Sequence, residues 1–108
     1  MSWRDKRVVI IGAARQGIAL SRFLVGRGAQ VVLTDNRPDE DLREAQQDLD
    51  GLPIEWVLGG HPVSLLDGAD LLCLSGGVPP TIPLVVEAQK RGIPLSNDSQ
   101  IFIEETPC

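Results

Sequence analysis

A short glycine-containing segment near the start of the chain has the residue types of a phosphate-binding turn. It runs from the apolar residues 8–11 through Gly12 to Gly17, where a helical pattern begins. The first N–H groups of a helix have no partner within the helix and lie at the positive end of its dipole. They therefore stabilise an anion without any cationic side chain. The segment predicts a site for a phosphate group.

The same turn matches part of the glycine pattern of dinucleotide-binding folds. Gly12 and Gly17 occupy the first and third positions of G-x-G-x-x-G, and Ala14 occupies the second. The middle glycine lets a pyrophosphate approach the backbone closely, so the methyl group of Ala14 disfavours ordinary NAD binding but leaves phosphate binding open. Arg15 and Gln16 fall in the first helical turn, where the planar Arg15 guanidinium suits a phosphate. An exposed arginine at a helix start is the alternative interpretation.

An acidic residue follows the second apolar run. Asp35 lies 18 residues beyond Gly17, close to the roughly 20 at which dinucleotide folds place an acid against ribose hydroxyls. A carboxylate only accepts hydrogen bonds, so it selects a hydroxyl or a base N–H. A solvated aspartate that starts the turn at residues 35–38 explains it equally well. Arg37 could pair with Asp35 or cover a base.

Two further segments carry polar or glycine residues. Gly76 and Gly77 follow the fourth apolar run, where the lack of Cβ atoms would let a ligand approach bare N–H groups; ordinary turn glycines are the alternative. His61 lies between Gly60 and a proline, with no nearby cysteine or acid to complete a metal or catalytic site. We expect it to be a surface or capping histidine.

Short apolar runs alternate with helical patterns along the whole chain. We predict strands at 8–11, 31–34, 54–58, 71–75 and 93–96, helices at 17–25, 39–49, 83–91 and 99–105, and a short turn or helix at 61–66. This alternation predicts an α/β fold, a Rossmann-like three-layer domain with a mostly parallel five-stranded sheet. Ligands of such sheets bind beyond the carboxyl ends of the strands, where the polar segments after strands one, two and four fall.

Length, composition and net charge argue against several classes of function. The chain has 108 residues, enough for one domain, and 43% of them are hydrophobic. Its net charge of −5 opposes an extended contact with nucleic acid. With no run of about 20 apolar residues and a charged start, we expect no membrane partner and a cytoplasmic location. Cys73 and Cys108 have no metal-ligand spacing, and we expect Cys73 to pack in the core.

Together these segments resemble a known family. The resemblance depends on four segments. They are Val-Val-Ile-Ile-Gly at 8–12 followed by Gly17, Leu-Thr-Asp-Asn-Arg at 33–37, Leu-Cys-Leu-Ser-Gly-Gly-Val-Pro at 72–79, and Ile-Pro-Leu-Ser-Asn-Asp at 93–98 with Ile101 and Phe102. In order and spacing they resemble the N-terminal domain of the Mur ligases, over essentially the whole chain. The resemblance implies that residues 1–108 form a domain that binds the UDP part of UDP-N-acetylmuramoyl-L-alanine.

The resemblance also implies a role for each candidate residue. The diphosphate would meet Arg15, Gln16 and Gly17; the uracil N–H would meet Asp35, with Asn36 and Arg37 lining the base pocket; the ribose and phosphates would lie against Ser75, Gly76 and Gly77. The chain departs from the family pattern at three places: Ala14 stands for a glycine, Gln16 for a hydroxyl residue, and the segment 75–77 for Ser-Pro-Gly. At Gln16 and Gly76 the side chain differs from that of the family, so contact with the ligand there would depend on the backbone N–H donors.

In the Mur ligases, ATP phosphorylates the substrate carboxylate and an amino acid, here D-glutamate, attacks the acyl phosphate to form an amide. The resemblance implies that ATP, magnesium and D-glutamate bind to a central ATPase domain and a C-terminal domain, because no G-x-x-x-x-G-K-[ST] loop occurs in these residues. We expect the chain alone to hold no cofactor and to be inactive. Two alternatives stay open: the nucleotide half of an NAD(P)-dependent dehydrogenase or potassium-channel regulatory domain, and an interaction module that docks through its acidic segment 39–50.

Overall fold

A sheet of five parallel strands forms the centre of the chain. The computed structural model describes residues 4–13, 15–74 and 81–97, with the side chains of residues 15, 16, 96 and 97 outside the description. The strands are β1 Arg7–Ile11, β2 Gln30–Asp35, β3 Ile54–Leu58, β4 Leu71–Leu74 and β5 Leu95–Asn97. Their order in the sheet is β3-β2-β1-β4-β5. Every pairing is parallel, as predicted.

Among the described residues, three helices and two 3₁₀ turns connect the strands. The helices are α1 Arg15–Gly26, α2 Arg43–Asp48 and α3 Pro83–Lys90, and the 3₁₀ turns are Asp39–Leu42 and Val63–Leu66. Pro83 occupies the first turn of α3, where its missing N–H costs nothing. The chain therefore alternates strand and helix in the order that a parallel sheet requires.

The core lies on both faces of the sheet because neighbouring residues of a strand point to opposite sides. Val8 and Ile10 of β1 pack in a cluster that contains Leu20 and Leu24 of α1 and Ala45 of α2. On the other face, Val9 and Ile11 pack with Leu84 and Val85 of α3. This arrangement confirms the three-layer α/β prediction. Cys73 is fully buried in the first cluster, as expected.

Two predicted elements differ from the structure. The fifth strand begins at Leu95 instead of residue 93, because the Ile93 N–H donates to the Ala88 carbonyl and so closes α3, and Pro94 has no N–H to contribute. The predicted helix 39–49 is divided at Leu42, whose backbone (φ −118°, ψ 17°) is not helical. The predicted helix 99–105 and the segment 75–77 lie outside the described residues.

Candidate functional site

The carboxyl ends of β1 and β2 meet at one edge of the sheet and bring the first two candidate segments together. Gly12 follows β1 with a φ of 103°, a conformation that favours glycine. Its N–H donates to the Thr34 carbonyl of β2 at 2.8 Å. The turn that leads into α1 is thus attached to the strand that ends at Asp35.

Asp35 is the most densely bonded side chain at this edge. Its Oδ2 accepts the Ala13 N–H at 2.8 Å, and its Oδ1 accepts the Arg37 N–H at 2.9 Å. The Arg37 guanidinium adds two further bonds, from Nε to Oδ1 at 3.1 Å and from Nη2 to Oδ2 at 2.9 Å. Only 7% of the residue is exposed. The carboxylate therefore joins the β1 turn to the β2 turn.

These contacts set the charge of Asp35. Burial raises the pKa of the carboxyl, but the hydrogen bonds from the Arg37 side chain and from the Ala13 and Arg37 N–H groups outweigh it and lower the pKa to about 2. Asp35 is therefore an anion at neutral pH, and an anionic carboxylate accepts only. The edge of the sheet presents a buried negative group next to a glycine turn.

Replacing Arg37 with alanine is expected to raise the pKa of Asp35, since the guanidinium hydrogen bond has the largest of the lowering effects. An NMR titration of the Asp35 carboxyl carbon measures it. Arg91→Ala is the matched control, because that arginine pairs with Asp67 and Glu87 and does not contact Asp35. An Asp35 pKa that stays near 2 in the Arg37 variant would contradict the assignment.

A third turn, which follows β3, is hydrogen-bonded to the same edge of the sheet. The Gly59 N–H donates to the carbonyls of Asp35 and Arg37, each at 3.0 Å, and the Gly60 N–H donates to the Asp35 carbonyl at 3.3 Å. Gly59 has a φ of 81°, which allows the chain to reverse directly after β3. The turn after β3 thus holds the backbone of the Asp35 turn in place.

His61 is the last residue of this turn, and its side chain contacts Thr34 of β2. Its Nδ1 lies 2.9 Å from Thr34 Oγ1, and the same hydroxyl lies 3.0 Å from the Gly60 carbonyl. The imidazole is half-buried. Burial lowers the pKa of His61, and the nearby Asp35 carboxylate partly opposes this by raising it. The net lowering of the pKa favours the uncharged form of the ring.

An open groove adjoins the Asp35 site between α1 and α2. Its volume is about 450 Å³, within the size range of small-molecule pockets. Its lining includes Ala13, Ile18, Arg22, Arg37, Asp41 and Leu42. Asp41 also raises the pKa of Arg37 by charge attraction. The Arg37 side chain thus borders both the carboxylate of Asp35 and this groove.

The structure brings part of the predicted site together. Asp35 and Arg37 are in contact, and Asn36 between them is exposed. The backbone of Arg15, Gln16 and Gly17 forms the first turn of α1, and the Arg15 and Gln16 side chains are outside the description. Ser75, Gly76 and Gly77 also lie outside the described residues.

Sequence reasoning missed His61 as part of this edge. The sequence predicted a surface or capping histidine, and the structure adds that the ring is half-buried and bonded to Thr34. The feature of the sequence that could have identified His61 is its position after the third strand and directly after two glycines. That is the same kind of position that identified the segments after strands one, two and four.

Within residues 4–13, 15–74 and 81–97, no three His, Cys, Asp or Glu side chains are grouped so that they could hold a metal ion. None of the helices in this part of the chain has the length and apolar character needed to cross a membrane.

The fold is a doubly wound α/β domain, a class whose ligands bind at the carboxyl edge of the parallel sheet. The family described as the Mur ligase MurD-like N-terminal domain matches residues 6–97. The chain therefore belongs to this family.

Individual relatives agree with this assignment. A UDP-N-acetylmuramoylalanine--D-glutamate ligase of Syntrophotalea carbinolica is 41% identical over 103 residues, which cover 95% of this chain and 23% of that protein. The chain thus spans less than a quarter of the length of this relative.

Solved structures share the fold. A pseudomurein peptide ligase type C from Methanothermus fervidus has a TM-score of 0.71 at 24% identity and covers 92% of this chain and 20% of its own. A shikimate dehydrogenase from Aquifex aeolicus has a TM-score of 0.64 at 20% identity, covering 90% of this chain and 44% of its own. At such identities the likeness concerns the fold alone. The family match does not favour the dehydrogenase alternative.

Proposed function

We propose that this chain binds the uridine diphosphate portion of UDP-N-acetylmuramoyl-L-alanine within a longer, ATP-dependent Mur ligase that adds D-glutamate. The observation that carries the proposal is the buried, ionised Asp35 at the carboxyl end of β2, joined by hydrogen bonds to the turn before α1. A relative 41% identical is named a UDP-N-acetylmuramoylalanine--D-glutamate ligase. Uracil has one N–H donor, which suits an acceptor-only carboxylate.

The phosphates would occupy the turn between β1 and α1. The first N–H groups of α1, at Arg15, Gln16 and Gly17, lie at the positive end of a helix of 12 residues. Ser75, Gly76 and Gly77 follow β4, which neighbours β1 in the sheet, so their backbone would meet the ribose and phosphates from the other side. Asn36 and Arg37 would line the base pocket.

Binding of uracil to Asp35 requires Arg37 to move. A carboxylate has about four lone-pair positions, and the four hydrogen bonds to Asp35 occupy all of them. The two backbone donors are fixed by the fold, whereas the Arg37 side chain is 50% exposed. The guanidinium would leave Asp35 for the adjoining groove, where Asp41 offers a second carboxylate. It would then cover the base.

The chemistry of the whole ligase would lie in the rest of the protein. ATP, magnesium and D-glutamate would bind to the central and C-terminal domains, and the parent would be a cytoplasmic enzyme of peptidoglycan precursor synthesis. This chain alone would hold one substrate and form no amide. ATP-dependent amide formation by the 108 residues alone would refute this part of the proposal.

An NMR titration tests the proposed ligand directly. Adding UDP-N-acetylmuramoyl-L-alanine to the ¹⁵N-labelled chain is expected to move the backbone amides of residues 12–17 and 35–37, with NADH as the control. A response to NADH alone would assign the chain to dinucleotide binding. No response to the UDP ligand would overturn the proposal.

A further inference from the structure

The hydrogen bonds around Thr34 fix which nitrogen of His61 carries the proton. A threonine hydroxyl has one hydrogen, and the Gly60 carbonyl can only accept it, at 3.0 Å. His61 Nδ1 lies 2.9 Å from the same oxygen and must therefore donate to it. In the neutral ring, Nε2 is then the nitrogen with the lone pair.

Within the part of the chain that the structure describes, no side chain or backbone group donates a hydrogen bond to the lone pair of His61 Nε2. The ring is half-buried and lies one hydrogen bond from Thr34, the residue that precedes Asp35. Asp35 itself offers no unused acceptor while Arg37 is bound to it. His61 follows Gly60, whose N–H donates to the Asp35 carbonyl, and its Nε2 is an acceptor beside the candidate site that neither Asp35 nor Arg37 occupies.

We propose that His61 Nε2 accepts a hydrogen bond from a ribose hydroxyl of the bound uridine diphosphate and so contributes to ligand specificity. This inference rests on the proposed binding of a uridine diphosphate. Protonation of the ring would convert the acceptor into a donor. Asp35 on β2 is the carboxylate that acts on the ring, with Arg37 bound to it, and the 3₁₀ turn Val63–Leu66 carries no charged residue.

The imidazole can be followed without overlap because His61 is the one histidine of the sequence. Long-range ¹H–¹⁵N spectra of the chain are expected to show the neutral tautomer with the proton on Nδ1. Added UDP is expected to shift the Nε2 resonance. A Nε2 resonance that stays in place while the amides of 12–17 and 35–37 move would overturn this inference and leave the proposed function standing. If neither group moves, the proposed function itself fails.

A pair of variants separates the contact with ligand from the contact with Thr34. Asparagine has an amide N–H near the position of Nδ1 but nothing at Nε2, so His61→Asn keeps the Thr34 bond and loses the acceptor. His61→Gln can place an amide oxygen near Nε2 but loses the Thr34 bond. We expect affinity for UDP to fall about tenfold in His61→Asn and to recover in part in His61→Gln, by calorimetry. Urea unfolding verifies that both variants fold. Equal affinity in both variants and in the unchanged chain would overturn the proposal.

Analogues of UDP identify the donor. The 2′-deoxy and 3′-deoxy analogues each lack one candidate hydroxyl, and the N3-methyl analogue, which lacks the base N–H assigned to Asp35, is the control. The analogue that lacks the group bound to Nε2 is expected to bind the unchanged chain and the His61→Asn variant with equal affinity. If both deoxy analogues still lose about tenfold in the variant, neither hydroxyl donates to His61 and the proposal is wrong.

Discussion

Asp35→Asn is expected to weaken UDP binding by about 1–3 kcal/mol, as is Asp35→Ala. The carboxylate accepts four hydrogen bonds, and an asparagine amide would set its own N–H donors against the N–H of Ala13 or the Arg37 guanidinium. The turn before α1 and the turn after β2 would lose their common acceptor, so the phosphate and base parts of the site would be affected together. Calorimetric titration with UDP measures the change.

Asp70→Asn is the matched control for this variant. Asp70 also accepts a backbone N–H, from Arg7 at 2.9 Å, but it is exposed and lies at the amino end of the strands, away from the site. Its replacement is expected to leave UDP affinity unchanged. Equal affinity of the Asp35 and Asp70 variants would remove Asp35 from the base-binding role.

The same carboxylate makes stability depend on pH. Its pKa is about 2 in the folded chain against an ordinary value of 3.8, so folding is favoured by its ionised form. This contribution, about 2 kcal/mol at most, is complete above pH 3.8 and is lost as the pH falls through 2. The difference in unfolding free energy between the unchanged chain and Asp35→Asn is therefore expected to shrink over this range. Urea unfolding at several pH values measures it.

The fold could be predicted from local sequence because β1, β2 and β4, the three central strands, are short apolar runs buried on both faces. The two corrected elements depend on details that hydrophobic periodicity does not report. At β5, the Ile93 N–H is used by α3 before the strand starts, and in the segment 39–49 a single backbone conformation at Leu42 interrupts the helix. Both corrections concern hydrogen bonds and dihedral angles, whereas apolar spacing reports only which side chains are buried.

The site was predictable where its residues follow one another in sequence. Asp35 and Arg37 are two residues apart, and their pairing was one of the two possibilities foreseen for Arg37. The bond between Thr34 and His61 joins residues 27 apart and depends on the parallel pairing of β2 with β3. Nothing in the local sequence around His61 reports that neighbour. The histidine therefore became interpretable only once the strand order was known.

Gly12→Ala is expected to lower the free energy of unfolding by about 1–3 kcal/mol, because its φ of 103° is a conformation that residues with a Cβ rarely adopt. The strain would act on the site as well. Gly12 donates to Thr34, and the next residue, Ala13, donates to Asp35 Oδ2. A shift of this peptide would weaken a bond that lowers the pKa of Asp35, so that pKa is expected to rise together with the loss of UDP affinity.

Gly26→Ala provides the control for this glycine. Gly26 is the last residue of α1, does not have a positive φ, and an added Cβ would contact nothing within 4 Å. This change is expected to be neutral or to stabilise the chain by up to about 1 kcal/mol, because alanine restricts the unfolded backbone more than glycine does. Urea unfolding and titration with UDP compare the two variants. If Gly12→Ala retained both the stability and the affinity of Gly26→Ala, the positive φ at Gly12 would not be required for the phosphate turn, and the coupling from Gly12 through Ala13 to Asp35 would be wrong.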